Sequence, residues 1–220
     1  MITGISEFHG GYGAIHYSVK ESGYSGGDVI YGLICTNNAI NASLLFIEDV
    51  SGTVTMRNSL VARGDSTGPT ALAIGHNSGC AVFEHVTSDL GTLVGTSGSS
   101  SKNIFVNCIG LGTINSGGNH VSVFSNCVVS VERSGADDWN VWQRTPGFVD
   151  AANGDYTLKP GAFAREKGQK LDWQTNDSID LAGLPRLVNR GGVAYADDAL
   201  PDLGCYEAQV MMPGMLFILR

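Results

Sequence analysis

Four stretches of the chain alternate apolar and polar residues with a period of two. They are TVTMRNSLV from Thr53, CAVFEHVTS from Cys80, NIFVNCIGL from Asn103 and VSVFSNCVV from Val121. Such alternation predicts strands with one buried face. Each stretch follows a Ser-Gly pair, at Ser51-Gly52, Ser78-Gly79, Ser97-Gly98 and Ser116-Gly117. With Ser25-Gly26 the steps are 26, 27, 19 and 19 residues. In register, a large apolar position holds Met56, Phe83, Phe105 and Phe124. Two residues later stand Asn58, His85, Asn107 and Asn126, and then Ser59, Val86, Cys108 and Cys127. A short strand is expected before each of the last four pairs, in SLLFIEDV from Ser43, ALAIGHN from Ala71, TLVGT from Thr92 and TIN from Thr113. Ser25-Gly26 fits less closely, with Ile30 at the large position and Gly32 in place of Asn.

A unit of this length cannot bury its own apolar face, but stacked on like units it can. Equivalent residues would then meet every 4.8 Å or so. The Phe column becomes an aromatic spine, and the Asn column can form a ladder of amides that satisfies buried polar groups. Composition agrees. Of 220 residues 30 are Gly and 15% are charged, which suits strands and tight corners rather than a helical bundle. The 43% hydrophobic content is enough for a core. A net charge of −8 with no basic run excludes nucleic acid as a natural partner. No run approaches the roughly 18 apolar residues of a membrane span, so no membrane insertion is expected. Met1 to Tyr17 carries no basic start or apolar run of a signal peptide. The ending VMMPGMLFILR is broken by Pro213 and Gly214. It reads as an apolar tail or as the start of a removed module. The five cysteines lack zinc spacing and are expected as small buried thiols. A bridge between stacked Cys108 and Cys127 is geometrically allowed but not favoured.

These residues carry a resemblance. The unit Val123, Phe124, Ser125, Asn126, Cys127, repeated in part at Phe105 to Cys108, looks like that of right-handed parallel β-helix proteins of the pectate-lyase-like kind. The segment PGFVDAANGDYTLKPGAFA from Pro146, DLAGLPR from Asp180 and LPDLGCYE from Leu200 is similar to the closing segment of bacterial β-helix proteins with choice-of-anchor domains. Gly154, Asp155, Tyr156, Leu158, Asp180, Gly183, Pro185, Arg186, Asp202, Gly204, Tyr206 and Glu207 carry that match. Ala182 and Ala162-Phe163 depart from it. The resemblance implies an all-β fold, a right-handed single-stranded parallel β-helix of about six or seven coils with a loop-rich C-terminal cap. Residues 1–160 would form coils, 161–207 the closing segment, and 208–220 the tail. It also implies a bacterial secreted or cell-surface origin within a longer polypeptide, but not one activity.

The lyase, polygalacturonase and esterase signatures of such folds are missing. Asp137-Asp138 is a tandem acid pair without the partners a hydrolase would need. Asp150, Asn153 and Asp155 could chelate calcium through oxygen, but an Asn-Gly turn entering a strand is the simpler reading. The five histidines, His9, His16, His76, His85 and His120, show no metal spacing, and no metal is assigned. Arg57 and Glu84 occupy equivalent outward positions and can pair. Trp139 and Trp142, beside Asp137, Asp138, Asn140, Gln143 and Arg144, form the best ligand candidate, since aromatic faces with flanking polar groups suit sugars. The alternative is that both indoles cover the last coil. The substrate-binding set is therefore Trp139, Trp142, Asp137, Asp138, Arg57 and Glu84. The expectation is a carbohydrate-active module that binds or cleaves a polysaccharide. A non-catalytic surface or adhesin stalk is the alternative, and catalysis itself is left open, whether as lyase or hydrolase.

Overall fold

A computed structural model describes residues 13–18, 27–36, 43–48, 52–62, 72–75, 79–88, 102–110, 121–130, 137–189 and 191–209. The strands in chain order are β1 (Gly13–Ser18), β2 (Gly27–Tyr31), β3 (Ile34–Thr36), β4 (Ser43–Glu48), β5 (Thr53–Ala62), β6 (Leu72–Gly75) and β7 (Cys80–Ser88). They continue as β8 (Lys102–Val106), β9 (Ile109–Gly110), β10 (Val121–Val129), β11 (Trp139–Gln143), β12 (Phe148–Asp150) and β13 (Asp155–Leu158). A 3₁₀ turn, Ala151–Asn153, joins the last two. The protein is all-β.

The long sheet runs β11-β10-β8-β7-β5-β2, with β3 beside β5 and β9 between β7 and β10; its pairs are parallel. A second parallel sheet runs β1-β4-β6, and β12 pairs β13 antiparallel. The register follows the aligned columns. Ile30 faces Met56, Met56 faces Phe83, Phe83 faces Phe105, and Phe105 faces Phe124. The last three rings stack with centroids 4.8 and 4.4 Å apart and planes within 10° and 9°. They fill the inner face with Val54, Val61, Ala81, Val86, Cys108, Cys127 and Val129.

The expected right-handed β-helix of six or seven coils is corrected. The sheet topology is a small parallel barrel, four strands closed with others added. A stack of complete coils needs a strand on both sides at every level. Among the described residues the long sheet is six levels deep and the second sheet only three. The Ser-Gly spacing reports register within one sheet and is blind to how the intervening chain returns. The short strands expected near Thr92 and Thr113 lie outside the described residues, as do Ser25-Gly26 and residues 210–220.

A sharp bend divides each long strand path. Asn58, His85, Asn107, Asn126 and Asn140 all have φ between 50° and 56°, and Gly32 has φ 68° at the equivalent place. Asn is among the few non-glycine residues that enter this left-handed region readily. The Asn column is thus first a backbone requirement. Beyond the bend the outward side chains Leu60, Ile109 and Val128 are covered by Phe148, Tyr156, Leu158, Leu203 and Cys205.

Candidate functional site

Two places could carry function: the seam where residues 160–209 dock on the bend, and the outer row before it. The seam is built on buried polar groups. Asn107 Nδ2 and Gln174 Nε2 both approach His85 Nε2, at 2.9 and 3.0 Å, while His85 Nδ1 lies 3.3 Å from Gly204 O. Two amide donors on Nε2 leave the ring proton on Nδ1, where it donates to the carbonyl. Burial first, and the nearby Arg186 charge second, hold this imidazole well below its usual range. Asn107 also exchanges bonds with the Gln169 backbone, and Asn126 donates to Gln169 Oε1 at 3.2 Å. Asn140 donates to Asn126 Oδ1 at 3.0 Å. The expected amide ladder is direct only there. Between Asn107 and Asn126 the closing segment supplies the link.

Arg186 is fully buried. It donates to Asn58 Oδ1 and to Gly204 O, and lies 3.8 Å from Glu207 Oε2. Glu207 accepts from the Val188 and Asp202 amides, Asp180 from Ala182, Leu184 and Glu207, and Asp202 from Glu166 and Ala208. Burial pushes the Asp202 carboxyl up to about 6, and pushes Glu207 well above the usual range with help from the Asp202 charge. Such shifts often mark catalytic carboxylates. These acids are buried and spend their oxygens on backbone amides, so they act as clamps on the closing loops. Gly204 has φ 79°, and a Cβ there would strike Thr87 and Ile109.

The outer row follows strand register. Tyr31 faces Arg57, Arg57 faces Glu84, Glu84 faces Val106, Val106 faces Ser125, and Ser125 faces Trp139. Arg57 Nε and Glu84 Oε2 pair at 2.5 Å, and the guanidinium lies 5.3 Å from the Trp173 ring. Trp173 also meets Tyr31 and His85 edge-on, at 6.1 and 6.0 Å. Trp139 stands at the other end, 59% exposed. Three rungs place it roughly 14 Å from Glu84.

The structure therefore brings Arg57, Glu84 and Trp139 onto one row and separates Trp142 from it. Trp142 faces Val128 and meets Phe163 edge-on at 5.5 Å, within the cluster under the closing segment. Asp138 accepts from the Phe124 amide at 3.0 Å, while Asp137 is exposed in the turn before β11. Asp150 accepts from Asn153 Nδ2 at 2.6 Å across the turn between β12 and β13, and Asp155 accepts from the Thr157 amide at 3.0 Å at the start of β13. Among the described residues no group of three His, Cys, Asp or Glu side chains gathers as a metal site, and no helix is long and apolar enough to cross a membrane. None of Cys35, Cys80, Cys108, Cys127 and Cys205 is joined in a disulfide. Sequence reasoning missed Trp173 as part of the row, since nothing local ties it to residues 31–85.

No family model, curated protein or solved structure matches the chain. The resemblance to pectate-lyase-like proteins and to a choice-of-anchor closing segment is therefore corrected as well. The motif residues that suggested it, Asp180, Arg186, Asp202, Gly204 and Glu207, are explained here by the clamp they build.

Proposed function

We propose that the protein is a glycan-binding module that holds an extended polysaccharide along the outer row. One observation carries this reading: an exposed indole and a charge pair share one straight, in-register row on a sheet face. An indole face gives a sugar ring an apolar platform, and the guanidinium, carboxylate and Ser125 hydroxyl can bond its hydroxyls. Binding rather than cleavage is favoured because the raised carboxylates lie buried in the closing clamp, away from the row. The reading carries with it a place outside the cell or on its surface. A polysaccharide array tests it, with Trp139→Ala expected to lose the signal and Trp142→Ala expected to cost stability instead. Absence of binding to every glycan would leave the interaction stalk as the better reading.

A further inference from the structure

The chain has 13 Lys and Arg against 21 Asp and Glu, yet two of those 13 cations lie over one phenyl ring and a third lines the cavity beside it. The Arg144 guanidinium lies 5.2 Å from the Phe163 centroid and Lys167 Nζ lies 5.7 Å from it. Arg165, Lys167 and Phe163 line a cavity of about 480 Å³ with Pro160, Gly161 and Ala162. None of the three cations forms a salt bridge with a described carboxylate. Arg165 is anchored by Nη1, which donates to Pro160 O at 2.5 Å. Its Nε and Nη2 are buried and have no hydrogen-bond partner among the described residues. The nearby Asp202 carboxylate feels the Arg165 charge, but its oxygens are taken by the Glu166 and Ala208 amides.

Buried N–H donors without acceptors are rare in folded proteins and call for a water or an ion. A guanidinium edge offering two parallel N–H donors matches the two oxygens of a carboxylate. Lys167 and Arg144, both within 6 Å of the Phe163 centroid, add positive potential beside it. We propose that the loop 160–167 is a binding site for a carboxylate, carried by an acidic sugar or by a small organic acid. The acceptor pair would meet Arg165 Nε and Nη2 after a small outward shift of the side chain, with Lys167 bonding a second oxygen. The site is distinct from the Trp139 row and does not depend on it.

The test is a nuclear magnetic resonance titration of the whole chain, following Arg165 Nε and the amides of residues 160–167. The probes are sodium glucuronate, sodium acetate, glucose and sodium chloride at matched ionic strength. Glucuronate and acetate should both shift these signals saturably, while glucose and chloride should not. Tighter binding of glucuronate than of acetate would assign the acidic sugar as the source, and equal binding the organic acid. Arg165→Gln should abolish saturation, and Arg165→Lys should weaken it at least tenfold because the paired donors are lost. Lys167→Gln, on a half-exposed side chain, should weaken it severalfold and carries the test if the Arg165 variants do not fold. Trp139→Ala should leave these shifts unchanged even where glycan binding is lost. Shifts reproduced by chloride, or retained in both Arg165→Gln and Lys167→Gln, would overturn the proposal.

Discussion

At the scale of single residues, His85 departs most from its column. Asn stands at the equivalent positions 58, 107, 126 and 140, all with left-handed backbone. His85 gains a ring contact with Trp173 but must stay neutral between two amide donors. Its folded pKa is lowered, so the unfolded chain takes the proton first. Its contribution is therefore present above about pH 6.5 and lost as pH falls below it. Asp202 acts in the opposite sense. Its folded pKa is raised to about 6, so stability present below the ordinary carboxylate range is lost as pH rises toward 6. The two slopes oppose each other between about pH 4 and 6. His85→Asn should remove only the histidine slope. The melting temperature of the variant, relative to the parent, should rise steadily from pH 7 to pH 5. A difference independent of pH would show that the ring is not the titrating group.

Gly204 is the second telling residue. A side chain there must adopt a left-handed φ and displace Thr87 and Ile109. Gly204→Ala should cost about 2–4 kcal/mol, adding the backbone penalty to overpacking. Denaturant midpoints at unchanged slope would measure this.

At the scale of elements, strand register was largely legible. β7 and β10 span the same residues as the alternating stretches, because period-two patterning and repeated corner residues are local signals. The Arg57–Glu84 pair was legible for the same reason, as equivalent positions on neighbouring strands. The clamp was not, because Arg186 meets Asn58 across 128 residues of chain and no local pattern encodes that contact. Nor does alternation say which outward positions will be covered. Leu60, Ile109 and Val128 look outward in the pattern and are buried by the closing segment. Register also yields a prediction at Asn103, which follows Ala81 in an inner column. Both its amide atoms are buried without partners among the described residues. Asn103→Val suits the strand and removes that desolvation cost, so it should stabilise the protein by about 1–3 kcal/mol. By contrast, Phe105→Ala opens a cavity in the middle of the ring stack and should cost about 3–5 kcal/mol. Opposite signs from two neighbouring residues of β8 would check the assignment of the inner face by chemical denaturation.

At the scale of the whole molecule, the sheet and the closing segment share one core. Leu60, Ile109 and Val128 pack with Leu203 and Cys205, and Asn58, His85 and Asn107 bond to residues 169–204. Neither part buries its apolar face without the other, so they should unfold as one cooperative unit. Arg186 is the sensitive point, a buried charge beside Glu207 with the bend of β5 at its other end. Arg186→Met leaves the carboxyls of Glu207 and Asp202 without the cation that lowers their pKa. At neutral pH the variant must either keep unpaired buried charge or bind protons, and removing one partner of a buried pair costs about 3–5 kcal/mol. Near pH 4 these carboxyls are neutral in the folded state, so the deficit should shrink. Hydrogen exchange resolves both points in one experiment. At pH 7 the variant should lose protection equally at Phe105 and Phe124 in the sheet and at Leu203 and Gly204 in the closing segment. Loss confined to the closing segment would show two separable units, and a deficit that does not shrink toward pH 4 would show that Arg186 acts by packing rather than by charge.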